Sequence, residues 1–417
     1  MKQRLMATLA VLLSTLTALI LTETAFRIAM PPLPGDEGSV AFYIATAQRN
    51  PGAPRLFHAG YNALFDVRGL YEGANKIEFK IGPDRFIPPS PSNHARYKVL
   101  FLGGSVTEGI FLNENERWPA RLNIPGEVDA YNASMSEAGM LAQYLTVKYL
   151  AERGDRFDLV VLATNHNDAT WSRRFRDIGL SYDFANFDEG IKEIYKRDFN
   201  LLKSGETDWK TLRTVAWFRH LLRVMRLKSN AEASNTSGHQ DGEHSIVVDY
   251  LVKLQNGSNA LPRVPLSACK QESSPAAVKD LAYDNWRRNF PRFREDAKKL
   301  LGAELLVISE PSAYGAPSES FFQKDYRVFP TCEAPAGPRA IEAADVISFQ
   351  RELADLYLKA AGEAGAQTFD LAAAMSSFAN GPRGGTLFFD SVHPTPKGAE
   401  KFADILRPVI LETLHRN

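Results

Sequence analysis

The sequence carries no excess of charge of either sign: 49 Lys and Arg stand against 49 Asp and Glu, so the formal net charge is zero. That excludes a chain-wide attraction to nucleic acid, though not a local basic patch. Cysteine is almost absent. Only Cys269 and Cys332 occur, and neither lies near a second Cys or a His at metal-ligand spacing, which argues against a zinc site. No repeat of about 20 to 50 residues is visible, which argues against a solenoid or propeller. What is present is a globular composition. Hydrophobic residues make up 44% and charged residues 24% of 417 positions, enough for a full core.

One long apolar run stands at the start. Lys2 and Arg4 precede Leu5 to Thr22, which carries no charge. As a helix, 18 such residues span roughly 27 Å, close to a hydrocarbon core of about 30 Å. Positive charge ahead of the run favours a cytoplasmic N-terminus with the remainder exported. A cleaved signal peptide is the rival reading, but cleavage after Ala25 would place Glu23 at −3, where a small residue is wanted. The expectation is therefore an uncleaved signal anchor over 1–30, with the main domain on the periplasmic side of a bacterial inner membrane. In an exported domain the two cysteines can form one disulfide; two free thiols are the alternative.

Residues 31–96 are rich in Pro, Gly and Asn and contain one alternating stretch, Lys76 to Gly82, so a juxtamembrane segment with short strands is expected. From Tyr97 onward, buried-type strands (Tyr97–Leu102, Phe157–Thr164, Ala303–Pro311, Ala366–Ala372) alternate with helical patterns (Ala138–Arg153, Asn285–Gly302, Ile347–Gly365, and from Pro396). Pro291 is expected near the start of its helix or at a kink. The alternation predicts an α/β domain over 97–417 with a parallel sheet covered on both faces. An insertion of about 175–280 interrupts it. Inside lie a polar low-complexity stretch, 229–244, and a basic amphipathic one, Lys210 to Lys228. The latter packs on the domain with a solvated basic face or lies on an anionic membrane.

The chemistry turns on "VLFLGGSVTEG", Val99 to Gly109. Gly104 and Gly109 match the glycines of a phosphate-binding loop, but Ile110 and Phe111 stand where Lys and Ser/Thr are required, so nothing neutralises the phosphates. A nucleophilic Ser105 instead needs a base, an orienter and oxyanion donors. "FFDSVHPTPKG" offers Asp390 and His393, three residues apart in a turn before a helix. Asp390 can hold one ring nitrogen of His393 while the other faces the serine. "LATNHNDA" offers the side-chain amide of Asn167 at a strand's end, with Asp168 bracing the loop. Each segment alone is also readable as an ordinary turn; together they are far more specific, because all three follow strands of one α/β pattern.

On these three segments the chain resembles the SGNH (GDSL-like) hydrolase superfamily, over roughly 97–174 and 283–415. The resemblance implies a three-layer α/β/α, flavodoxin-like parallel sheet and a Ser105–His393–Asp390 triad, with no metal or organic cofactor. Two departures stand out. Gly104 replaces the aspartate of the Gly-Asp-Ser block, and Asn165 replaces the glycine of the Gly-x-Asn-Asp block. A third concerns the oxyanion glycine five residues after a strand-ending Asn. Counting from Asn132, that place holds Glu137, with Gly139 two further on. The expected oxyanion donors are the backbone N–H groups of Ser105 and of Glu137 or Gly139, and the amide of Asn167.

Four functions share these residues: a carbohydrate esterase deacylating an O-acetyl or similar ester on a cell-envelope glycan, a lipid esterase or lysophospholipase, an O-acyltransferase, and a non-enzymatic envelope protein on a retained fold. The first is the leading expectation. The implied partners are a small-molecule, glycan or lipid ester and, through the N-terminal helix, the membrane; no nucleic acid is implied.

Overall fold

The computed structural model of the protein describes residues 56–89, 94–194, 197, 260–270, 275–313, 331–379 and 387–416, apart from positions 58 and 61. The expected anchor over 1–30, the basic stretch 210–228 and the polar stretch 229–244 lie outside the described residues. Among those described, no helix is long and apolar enough to cross a membrane.

The described residues within 52–190 and 243–417 form one compact unit. In chain order its elements are β1 (Asn62–Asp66), β2 (Lys76–Lys80), β3 (Tyr97–Gly103), α1 (Ser105–Glu108), β4 (Val128–Asn132), α2 (Met140–Arg153), β5 (Leu159–Ala163), α3 (Asn165–Arg176), β6 (Arg263–Val264), α4 (Pro275–Asp296), β7 (Glu304–Ile308), β8 (Thr331–Ala334), β9 (Gly337–Ile341), α5 (Ala343–Glu363), β10 (Gln367–Phe369), α6 (Leu371–Ala379) and α7 (Pro396–Arg416). Five strands build the central sheet in the order β10-β7-β5-β3-β4. Every neighbouring pair runs parallel. Renumbered within the sheet this is the 2-1-3-4-5 order of a flavodoxin-like doubly wound fold, as expected.

The strands read as continuous apolar runs because both faces are covered. Leu100, Leu102, Val160, Leu162, Leu305 and Val307 point to one core, which holds side chains of α2, α4 and α5. Val99, Phe101, Leu159, Val161, Leu306 and Ile308 point to the other, under α6 and α7. The period of two along each strand divides the sheet between two helical layers. Helix α4 differs from expectation at its start. It begins at Pro275 and carries Pro291 inside it. An interior proline costs roughly 3 kcal/mol. Trp286, Phe290 and Phe293 are fully buried on this helix, and each contributes roughly 1.5–3 kcal/mol by burial, which outweighs that cost.

Two smaller sheets flank the domain. The β1–β2 hairpin is antiparallel and covers the expected alternating stretch. Its neighbourhood packs Val67, Leu70 and Ile77 against Phe389. The second sheet is β6-β9-β8; a disulfide joins Cys332 in β8 to Cys269, in the segment that follows β6, 63 residues apart in sequence. The free-thiol alternative is thereby closed. Cross-links of this kind typically stabilise by about 2–4 kcal/mol. Reduction, or Cys269→Ser, is expected to lower the melting temperature by several degrees, read by differential scanning calorimetry with and without dithiothreitol.

Candidate active site

Ser105 follows β3 directly, as the first residue of the single-turn helix α1. The turn closes at Gly109, whose φ of 65° is left-handed and suits glycine. Gly103 and Gly104 are required for a different reason. A Cβ at Gly103 would lie 2.8 Å from the Ala163 carbonyl oxygen, and one at Gly104 would lie 2.0 Å from Asn167 Nδ2. The glycine pair makes room for Thr107 of α1 and for neighbours from β5 and α3 rather than supplying a positive φ. Asn132 Nδ2 donates to the Thr107 carbonyl at 3.0 Å and Trp118 Nε1 to the Val106 carbonyl at 3.1 Å, so side chains hold the turn from below.

His393 arrives from the turn before α7. Its Nε2 lies 2.8 Å from Ser105 Oγ and its Nδ1 2.6 Å from Asp390 Oδ2. The other oxygen, Asp390 Oδ1, accepts the backbone N–H groups of Val392 at 2.9 Å and His393 at 2.7 Å. The backbone pairs Phe389 N–H with the His393 carbonyl and Thr395 N–H with the Leu387 carbonyl, which fixes the turn. The Phe389 ring stacks on the imidazole and Phe111 meets it edge-on. Burial pushes the Asp390 carboxyl up, but the attraction of His393 and the bonds it accepts outweigh this and hold it below the usual range. Burial pushes His393 down, yet Asp390 and the nearby Glu108 raise it above its ordinary value.

Asn167 and Asp168 lie in the first turn of helix α3, not in a loop. The helix begins at Asn165, with Thr164 as its N-cap. Asn167 Nδ2 reaches back to the Ala138 carbonyl at 3.1 Å and lies against Gly104. Asp168 is fully buried and braces the structure. Its carboxylate accepts from Met140 N–H at 2.7 Å, Thr164 Oγ1 at 2.7 Å, Tyr182 Oη at 3.0 Å and Trp286 Nε1 at 3.1 Å. Burial still pushes it up to about 6.

The two remaining donor candidates have different settings. Glu137 has a φ of 60°, a left-handed conformation uncommon for a residue with a side chain. Its carbonyl accepts Trp171 Nε1 at 2.6 Å. Gly139 is the N-cap of α2. A Cβ there would lie 2.4 Å from Tyr182 Oη and 2.5 Å from Asp168 Oδ1, so packing under the helix accounts for this glycine.

Three further titratable residues, Glu310, His166 and Glu108, lie in or against the turns that carry Ser105 and Asn167, and nothing in the sequence singles them out. Glu310 follows β7. Its Oε2 accepts His166 N–H at 3.2 Å, and its own N–H donates to Asn165 Oδ1 at 2.8 Å. Burial pushes its carboxyl up to about 8 and the His166 imidazole down to about 4, so in each case it favours the uncharged form. Glu108, three residues after Ser105, is fully buried and bonded to Ser136 Oγ. Ser105 at the end of β3 and Asn167 after β5 flank the crevice where the strand order reverses, the usual ligand position in an open α/β sheet.

No family model matches the sequence, and no curated protein matches it. The chain is similar in structure to lipolytic proteins of the G-D-S-L family. One such protein from Veillonella parvula DSM 2008 has 10% identity, covering 75% of this chain and 97% of that one, at a TM-score of 0.36. Phospholipase A1 from Streptomyces albidoflavus NA297 has 13% identity, covering 76% and 100%, at 0.35. An acetyl xylan esterase from Geobacillus stearothermophilus has 11% identity, covering 77% and 95%, at 0.33.

Proposed function

We propose that the protein is a serine esterase of the SGNH type, deacylating an ester such as O-acetyl on a cell-envelope or extracellular glycan. The observation that carries this reading is the hydrogen-bonded series from Ser105 Oγ through His393 to Asp390. His393 takes the proton of Ser105 as the oxygen attacks the ester carbonyl. The developing oxyanion is held by the N–H of Ser105, the amide of Asn167 and the N–H of Glu137, which takes precedence over Gly139 because it sits in the left-handed turn beside Ala138, the residue whose carbonyl Asn167 bonds. The alcohol departs with the proton from His393, and water repeats the sequence to release the acid.

The envelope setting rests on two features. The disulfide suits an oxidising compartment, and the basic residues before Leu5–Thr22 suit a single-pass anchor with the domain outside the cytoplasm.

The test is a panel of esters with the purified protein, comparing an O-acetylated oligosaccharide with a long-chain acyl ester. Faster release of acetate supports the glycan reading; faster release of fatty acid contradicts it. Asn167→Ala is expected to lower kcat by about 10²–10³ on whichever ester is turned over, with KM little changed.

A further inference from the structure

Glu108 is a carboxyl group buried where burial is costly. It is fully buried. Its Oε2 accepts from Ser136 Oγ, while Oε1 has no hydrogen-bond partner, and neither has Nη2 of the buried Arg117. An apolar residue of similar volume would avoid that desolvation. The position gives a reason for a polar one. The Glu108 N–H donates to the Gly104 carbonyl at 2.9 Å, so its backbone belongs to the nucleophile's turn. Its side chain reaches the segment from Met135 to Ala138.

That segment is held on every side. Met135 N–H donates to the Gly103 carbonyl at 3.1 Å and Ala138 N–H to the Met135 carbonyl at 3.0 Å. Trp171 holds the Glu137 carbonyl and Asn167 the Ala138 carbonyl. These bonds fix the ends and the carbonyl side of the turn. Ser136, the residue before the left-handed Glu137, is fixed by Glu108. The peptide joining Ser136 to Glu137 carries the N–H assigned above to the oxyanion.

We propose that Glu108 is a positioning residue that, through Ser136, sets the Ser136–Glu137 peptide relative to Ser105 and so aims the oxyanion donor. This rests on the esterase reading of Ser105. A misplacement of the order of 1 Å at a reacting centre costs roughly 10²-fold, so a small polar link is sufficient to matter. Burial pushes the Glu108 carboxyl up to about 7, and the groups acting on it are Ser136, His393 and Arg117. Those acting on His393 are Asp390 and Glu108, and His393 in turn acts on His166. The same carboxyl therefore adds negative charge facing His393 once it ionises.

The test compares Glu108→Ala, Glu108→Gln, Ser136→Ala and the double variant Glu108→Ala/Ser136→Ala in the full chain, with p-nitrophenyl acetate as substrate. Glu108→Ala and Ser136→Ala are each expected to lower kcat by roughly 10- to 100-fold with KM little changed. The double variant is expected to lose no more than the worse single one, because both break one link. Glu108→Gln keeps the link to Ser136 and is expected to restore most of kcat, while the acid limb of its kcat/KM profile moves to lower pH as the charge facing His393 is lost. Wild-type kcat in Ser136→Ala, or additive losses in the double variant, would overturn the inference. Ser105 labelling by a fluorophosphonate separates the two levels. If wild type is labelled but the variants lose nothing, only the Glu108 role fails; if wild type is unlabelled, the esterase reading fails and this role with it.

Discussion

Ser105→Ala is expected to lower kcat/KM by on the order of 10⁴-fold or more without unfolding the protein. The hydroxyl accepts or donates one hydrogen bond, to His393 at 2.8 Å, and the buried contacts of α1 are made by Val106, Thr107 and Glu108. Removing one half-buried oxygen leaves the sheet, both cores and the Asp390–His393 turn untouched. The melting temperature should therefore move by a few degrees at most, while turnover loses its nucleophile. A residual rate above water would remain, because oxyanion donors and binding act without the serine. Circular dichroism melts and initial rates on one preparation check both halves of the expectation.

Asp390→Asn carries the second largest expected loss, about 10⁴-fold in kcat, and it discriminates chemistry from shape. The two backbone N–H groups of Val392 and His393 go to Oδ1, and an asparagine oxygen can keep accepting them. Its amide nitrogen would then face His393 Nδ1 with a donor, so Nδ1 must become an acceptor. The ring proton moves to Nε2, where it blocks transfer from Ser105. The pH profile sharpens the expectation. His393 acts as a base only when neutral, and its value lies above the ordinary 6.5, so wild-type kcat/KM should fall as pH drops through that raised value. With Asp390 neutralised, burial dominates and the acid limb of the residual activity should move to lower pH. A limb that stays in place would mean that another group controls it.

The central sheet was legible in the sequence because both its faces are buried. Val99 to Leu102 and Leu159 to Ala163 read as unbroken apolar runs, and the observed strands match the expected ones to within a residue or two. Asp390 and His393 were legible for a local reason: three residues of separation in a turn suffice to bring carboxylate and imidazole together. Less could be read where partners are distant in sequence. Gly104 looks like a turn residue until Asn167, from another strand's end, is seen occupying its Cβ position. The sequence reads Asn167 as a strand-end turn residue, but the chain passes from β5 through Thr164 straight into helix at Asn165. The pattern places the start of helix α4 at Asn285 because Pro291 suits a first turn or a kink, whereas the helix begins at Pro275 and buried aromatics on either side of Pro291 hold it through that residue. Glu137 carries a side chain and yet has a left-handed backbone, which no sequence pattern signals; the bonds that clamp its turn account for it.

The most direct test of the central claim is the intact mass of the purified full-length protein after treatment with a fluorophosphonate, followed by peptide mapping. Attack by an activated serine oxygen on phosphorus displaces fluoride and leaves a stable phosphonyl ester. One adduct, located on Ser105 and strongly slowed in His393→Ala, is the result expected from the Ser105–His393–Asp390 geometry. No adduct, or an adduct on any other residue, would contradict it.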